Sequence, residues 1–315
     1  MNDARTADAS AVSLPETAAA HPDGPGPGPA RGRRAAGGGA VGPVALVVGG
    51  ALSVQFGAAL AVLLIPRAGA LGVVSLRLAL AALVLLAVCR PRLRGHSRSD
   101  WGTVVAFGAA MAGMNLLFYQ AIDRIPLGAA VTLEVLGPLA LSVVASRRVV
   151  SLLWAALALA GVVLLSGGGF DRLDPVGAGF ALGAGAMWAA YIVFSARTGR
   201  RFPQADGLAL AMAVGAVLSL PLGVVEAGTR LLVPSTLALG LAVALMSSVL
   251  PYTLELIALR RLPAGTFAVL MSLEPAVAAL AGFLVLRQAL SVTDAAAIAL
   301  VVAASVGAVR ARTAR

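Results

Sequence analysis

The feature that most constrains this chain is a succession of ten long apolar runs. A helix that crosses the hydrocarbon core of a membrane needs about 20 apolar residues, and each run has that length between bounding Arg, Asp, Pro or Gly residues. The runs predict spans at 42–64, 70–89, 102–121, 127–146, 149–167, 175–196, 206–225, 235–257, 264–286 and 291–309. The predicted fold class is therefore an all-α membrane protein with ten transmembrane helices.

Composition agrees with a lipid environment. Hydrophobic residues make up 59% of the 315 positions and charged residues 12%, against roughly 45–50% and 25% in soluble domains. The net charge of +10 would suit a nucleic-acid-binding protein, but the basic residues lie in the gaps between apolar runs and do not form a basic face with interleaved aromatic residues. We expect the lipid bilayer and no nucleic acid as a partner.

The distribution of arginine predicts the orientation, because cytoplasmic loops carry an excess of positive charge. Successive gaps between spans lie on alternate sides of the membrane. The set that includes both termini holds 18 arginines, and the other set holds five. Both termini belong to the arginine-rich set, so we expect a multi-pass protein of the inner (plasma) membrane with both termini cytoplasmic. Residues 1–40 are rich in Pro, Gly and Ala without an apolar period, which predicts a disordered cytoplasmic tail.

An internal repeat relates the two halves of the chain. Residues 115–138 and 252–275 share eight identities in 24 positions at a fixed offset of 137, and two of these identities are Pro126 with Pro263 and Pro138 with Pro275. Each unit holds five predicted spans, so the second unit enters the membrane from the opposite side. We therefore predict two inverted five-helix repeats, at 41–167 and 175–310, an architecture associated with transporters whose substrate site lies near the midplane.

Four segments carry a resemblance to a known family. They are SLRLAL at 75–80, MNLLFYQAIDRIPLGAAVTLEVLGPLALSVVASRR at 114–148, ALGAGAMWAAYI at 181–192 and LPYTLELIALRRLPAGTFAVLMSLEPA at 250–276. The chain resembles the drug/metabolite transporter superfamily, EamA type, and within it the bacterial threonine/homoserine exporters. The resemblance implies a secondary transporter that exports small metabolites, foremost amino acids such as threonine or homoserine. A transporter of drugs or nucleotide sugars in the same superfamily is the alternative, and a non-transporting receptor or assembly subunit is a more distant one.

Four ionisable side chains lie inside predicted spans, namely Arg77, Glu134, Glu255 and Glu274. A charge in mid-helix costs about 2.5 to 3.5 kcal/mol on insertion scales, so these groups are expected to face the bundle interior and line the pathway. A zwitterionic substrate would place its carboxylate on Arg77 and its ammonium on a glutamate. The three glutamates are also the candidates for proton coupling, with Glu255 first. The structural alternative is a buried ion pair such as Arg77 with Glu134.

Uncharged polar groups within the spans complete the predicted substrate site. They are Asn115, Tyr119, Tyr191 and Tyr252. Their hydroxyl and amide groups need partners in lipid, although tyrosines near span ends also serve as interfacial anchors. Gly179 and Gly183 are spaced by four residues, a pattern typical of close helix packing.

The sequence lacks the residues that enzymatic catalysis or metal binding would need. The two histidines, His21 and His96, lie outside the predicted spans, and there is neither an HExxH motif nor an intramembrane aspartate pair. The single cysteine, Cys89, excludes an intramolecular disulfide and a cysteine-based metal site. We expect no catalytic residues, metal or cofactor. A small molecule is the expected substrate, with a homodimer left open as an assembly.

Overall fold

A computed structural model describes residues 41–146, 149–165, 174–202, 205–259 and 270–313. The predicted tail at 1–40 and residues 264–269 of the ninth predicted span lie outside these ranges. Within them the chain is helical and contains no strand, which confirms the all-α class. The helices are α1 Val41–Cys89, α2 Arg98–Ile122, α3 Leu127–Glu134, α4 Leu136–Ser146, α5 Val149–Leu165, α6 Pro175–Gly199, α7 Asp206–Ala227, α8 Pro234–Ala244, α9 Leu250–Leu259, α10 Glu274–Leu286 and α11 Val292–Thr313.

The first helix is long enough for two crossings and is broken near its middle. Its 49 residues would span about 74 Å at 1.5 Å per residue, whereas the hydrocarbon core of a bilayer is about 30 Å thick. Gly69 has φ 70° and ψ 164° within this helix, three residues after Pro66. The break falls where the sequence predicts a boundary between the first two spans. Including this segment, five described segments are long and apolar enough to cross a membrane.

Helix pairs that are distant in sequence form the bundle. The helix α1 packs against α7, α8, α9 and α10, while α2 packs against α6, α3 against α10, and α5 against α11. Buried alanines and valines of these helices form one large apolar cluster around Leu64, Leu78 and Met111. Helices of the first predicted half therefore pack against helices of the second half.

The connections between helices meet at two ends of this bundle. At one end, which we call the tight end, the Glu226 carboxylate accepts the Gly72 N–H at 2.9 Å and the Gln288 side-chain carbonyl accepts the Leu127 N–H at 3.2 Å. The Arg124–Asp174 ion pair lies there too, at 3.5 Å.

At the other end, which we call the arginine-rich end, Arg201 pairs with Asp100 at 3.0 Å, and the His96 and Phe202 rings lie 4.3 Å apart. Among the described residues, these contacts keep Arg201 and His96, from gaps of the arginine-rich set, at one end, and Arg124, from a gap of the other set, at the opposite end. Which end faces the cytoplasm stays a prediction.

A helix break between α3 and α4 brings two helices into backbone contact. Pro138 lies in the first turn of α4 and has no N–H to donate to the carbonyl of Glu134, four residues earlier. The helix α6 approaches this point closely, because a Cβ on Gly185 would lie 2.5 Å from the Glu134 carbonyl oxygen and one on Gly137 would overlap the Gly185 backbone. A Cβ on Gly179 would meet nothing within 4 Å, so the close packing predicted at Gly179 does not form.

The contact at Gly185 predicts a stability difference between two identical substitutions on α6. Gly185→Ala should lower the free energy of unfolding by about 1 to 3 kcal/mol, because the methyl group forces α4 and α6 apart. The matched control is Gly179→Ala, which adds a methyl group in open space and should keep or slightly raise stability through helix propensity. The measurement is the apparent melting temperature of the purified protein in detergent. Equal melting temperatures for the two variants would contradict the packing described here.

Candidate functional site

A buried arginine lies at the centre of the bundle. Arg77, in the second half of α1, is 8% exposed. Its guanidinium and Nε donate to Asn115 Oδ1 at 2.7 Å, the Ser247 carbonyl at 2.8 Å, Tyr119 Oη at 3.2 Å and Ser248 Oγ at 3.2 Å. All four partners are neutral, so the network fixes the guanidinium without cancelling its charge. In the described part of the chain, Arg77 forms no ion pair with Glu134.

Local helix geometry orients the partners of Arg77. The Asn115 amide nitrogen donates to the Met111 carbonyl at 2.9 Å, which turns its oxygen toward the guanidinium. Ser247 and Ser248 lie in a π-helical turn, Leu245–Val249, that joins α8 to α9. Pro251 follows this turn and has no N–H to donate to the Ser247 carbonyl. The carbonyl instead accepts from Arg77. Single π-helical turns of this kind are frequent at functional sites.

Two buried carboxylates share a cavity with Arg77. Glu134 ends α3 and Glu274 begins α10, and they are 8% and 6% exposed. Glu274 lies at a helix N-terminus, where the backbone dipoles favour a negative charge. All three side chains line one cavity of about 150 Å³. One guanidinium and two carboxyl groups therefore line a single cavity.

Most of the residues predicted from the sequence lie at this cavity. Its lining includes Arg77, Asn115, Glu134, Tyr191, Tyr252 and Glu274. Tyr119 lies behind Arg77, is fully buried and accepts a hydrogen bond from it. Glu255 belongs to α9, one turn after Tyr252, and its side chain lies outside the described residues.

The cavity also holds polar residues that the sequence analysis did not select. Gln55, on the first half of α1, is 3% exposed and lines the cavity together with Ser247. Among the described residues, neither Gln55 Oε1 nor Ser247 Oγ has a hydrogen-bond partner. One signal could have found Gln55: apart from Ser53, it is the only polar side chain in the predicted span 42–64, and such residues seldom face lipid.

A second, larger cavity adjoins the first. It has a volume of about 430 Å³ and is lined by the ends of α1, α6 and α9 together with the start of α7, reaching Cys89, Thr198 and Phe202. Tyr191 and Tyr252 line both cavities and so lie at their junction. We call the larger cavity the vestibule. The vestibule lies toward the arginine-rich end. At the tight end, Glu226 and Gln288 instead hydrogen-bond to the backbone of neighbouring helices.

Comparison with known proteins assigns the family. Residues 175–310 match the EamA-like transporter family. The threonine/homoserine exporter RhtA of Escherichia coli (strain K12) is 42% identical to this chain over 267 residues, which make up 84% of the chain and 90% of the exporter. The protein of the same name from Salmonella typhimurium (strain SL1344) gives the same figures. The chain belongs to the EamA transporter family.

Membership of the EamA family confirms the resemblance found in the sequence. The matched relatives are transporters, and together with the apolar helices they identify a multi-pass membrane protein of the transport class. A crystal structure of a protein with 22% sequence identity superimposes with a TM-score of 0.61, covering 87% of this chain and 98% of that chain. This last likeness shows that the fold occurs in a solved structure and carries no statement about function.

The Arg77 network predicts an asymmetry between two arginines on α1. Arg77→Met removes the donor to four buried acceptors and should destabilise the protein by about 2 kcal/mol or more, since a buried acceptor left unpaired costs about 1 to 3 kcal/mol. Arg67→Met is the matched control, because Arg67 is exposed beside the α1 break. Apparent melting temperatures in detergent distinguish the two. A tolerant Arg77→Met variant would mean that the network does not hold the helices together.

Proposed function

We propose that this EamA-family protein exports small amino acids, threonine and homoserine foremost, across the inner membrane. The observation that carries the proposal is the shared burial of Arg77, Glu134 and Glu274 around one cavity. An amino acid presents one carboxylate and one ammonium group. Arg77 would bind the carboxylate through charge-assisted hydrogen bonds, and Glu134 or Glu274 would bind the ammonium. The names of the curated relatives support the same substrate class.

The size of the cavity favours small amino acids over drugs. Its volume is about 150 Å³, and an apolar cavity of about that volume in another protein takes up benzene. Threonine and homoserine have about eight non-hydrogen atoms each, close to this size. Apolar side chains of Met114, Phe118 and Met271 form much of the remaining wall, which suits the short carbon chain of such a substrate.

The two ends of the bundle support export by alternating access. In the proposed architecture, ten spans form two inverted repeats with the substrate site between them. The arginine-rich end would face the cytoplasm, so the vestibule would admit substrate from inside the cell, past Tyr191 and Tyr252. Release to the outside would require the hydrogen bonds of Glu226 and Gln288 at the tight end to open.

We propose proton antiport as the coupling mechanism. A glutamate that is deprotonated while the protein carries substrate outward, and that binds a proton before the empty protein returns, would link the two flows, because a charged carboxylate is costly inside the membrane. Glu134, Glu255 and Glu274 are the candidates. Glu255 is preferred because its counterpart in the first repeat is Phe118, so the fold of the unit does not require an acid at this position.

The proposed function predicts amino-acid efflux that depends on Arg77. Cells overexpressing the protein should lose radiolabelled threonine and homoserine faster than control cells. Arg77→Lys should slow this efflux at least about 10-fold, because lysine keeps the charge but its three donors cannot serve the four protein acceptors and the substrate carboxylate together. Arg67→Lys is the matched control and should export at the wild-type rate. Unchanged amino-acid efflux together with altered drug resistance would instead favour the drug-transporter alternative.

The coupling proposal predicts a separation of two transport modes. In proteoliposomes, Glu255→Gln should abolish threonine transport driven by a pH gradient while keeping threonine counterflow, which needs no net proton movement. A glutamate that only binds substrate should lose both modes when changed to glutamine. Glu226→Gln is the control, since its amide oxygen still accepts the Gly72 N–H and both modes should persist. Wild-type rates in both modes for Glu255→Gln would remove this residue from the mechanism.

A further inference from the structure

We propose that Gln55 determines substrate specificity by hydrogen bonding to the side-chain hydroxyl of the amino acid, with Ser247 Oγ as a second partner. The inference rests on the proposed amino-acid export. It adds recognition of the substrate side chain to the recognition of the carboxylate and ammonium by Arg77 and the glutamates.

The first observation is an unpaired amide oxygen at the cavity wall. Gln55 is 3% exposed and lines the cavity, and its Oε1 has no hydrogen-bond partner in the described part of the chain. The helix around it is fixed, because the Ser53 hydroxyl donates to the Met246 carbonyl at 2.6 Å. Buried polar groups in native proteins nearly always have a partner. The Gln55 amide oxygen lacks a partner among the described residues, and a ligand in the cavity that this residue lines is the group that would supply one.

The second observation is an unpaired hydroxyl beside Arg77. The Ser247 carbonyl accepts from the Arg77 guanidinium at 2.8 Å, while Ser247 Oγ has no partner among the described residues and Ser247 lines the same cavity. The first half of α1 passes directly over this serine, since a Cβ added to Gly57 would overlap Ser247 Oγ. Gln55 and Ser247 both line this one cavity, so the two unpaired groups belong to side chains of the same site.

The chemistry of the substrate matches these two groups. Once Arg77 and a glutamate have bound the carboxylate and the ammonium, the polar group that remains on threonine, serine or homoserine is one hydroxyl. A hydroxyl both donates and accepts, so it pairs with the Gln55 amide in either orientation of that amide. A site that is built to hydrogen-bond a hydroxyl discriminates against analogues that lack it, because its buried polar groups then stay unpaired.

The test compares amino acids of equal shape with and without the hydroxyl. Uptake of radiolabelled L-threonine into proteoliposomes is measured with unlabelled L-threonine, L-valine, L-homoserine or L-norvaline as competitors. For the wild-type protein, valine should compete at least about 10-fold more weakly than threonine, and norvaline at least about 10-fold more weakly than homoserine. Gln55→Leu should reduce both ratios, chiefly by weakening the binding of the hydroxylated members.

Two further variants distinguish a loss of specificity from a folding defect. Gln120→Leu makes the same change on α2 at a residue that is not part of the cavity lining, and it should keep the wild-type ratios. Gln55→Asn keeps an amide but withdraws it by one methylene, so it should lower the ratios even if Gln55→Leu is poorly produced.

The outcomes separate this inference from the proposed function. Threonine transport by the wild-type protein with equal competition by valine would overturn the inference and leave amino-acid export standing. Wild-type ratios in Gln55→Leu or Gln55→Asn would do the same. A wild-type protein that transports no amino acid would overturn the proposed function, and this inference with it.

Discussion

The structure depends on how a guanidinium is accommodated inside an apolar bundle. An isolated charge in mid-membrane is expensive, and Arg77 is nevertheless held by neutral groups from α2 and from the π-helical turn between α8 and α9. The N–H groups of the Arg77 guanidinium bind neutral protein acceptors, which makes the side chain stable inside the bundle. Its positive charge is retained and can still attract an anion. The same contacts join α1 to helices of both predicted halves, so the proposed substrate site and the packing of the halves share one set of hydrogen bonds.

Three prolines act on the backbone around this site in the same way. A proline has no N–H for the carbonyl four residues earlier, which for Pro138, Pro251 and Pro275 are the carbonyls of Glu134, Ser247 and Met271. All three of those residues line the cavity. In a membrane such carbonyls are tolerated where protein or a water-filled cavity satisfies them. The prolines therefore place polar backbone around a polar site, and the Ser247 carbonyl shows the use directly by binding Arg77.

Much of this arrangement could be predicted from the sequence, because the membrane restricts what polar residues can do. Arg77, Glu134 and Glu274 stand out as charges in apolar runs, and the cost of exposing them to lipid predicts that they face inward. The break at Gly69 follows from a length argument alone. Properties that depend on the neighbouring helix were less predictable. Helical spacing shows that Gly179 and Gly183 share a face, but the close approach occurs at Gly185, where the Glu134 carbonyl meets α6.

The difference between the two ends of the bundle depends on a small number of hydrogen bonds. At the tight end, Glu226 and Gln288 accept N–H groups from the starts of helical segments at Gly72 and Leu127, positions where backbone donors have no partner in their own helix. Water can replace such acceptors once the end opens, and a typical hydrogen bond contributes only about 0.5 to 1.5 kcal/mol net. At the opposite end, the Arg92 N–H donates to Asp206 over an N to O distance of 3.5 Å, and Arg201 pairs with Asp100 at 3.0 Å. In the proposed cycle the two states would then differ by a few kcal/mol, a gap that the binding of a substrate or a proton is able to reverse.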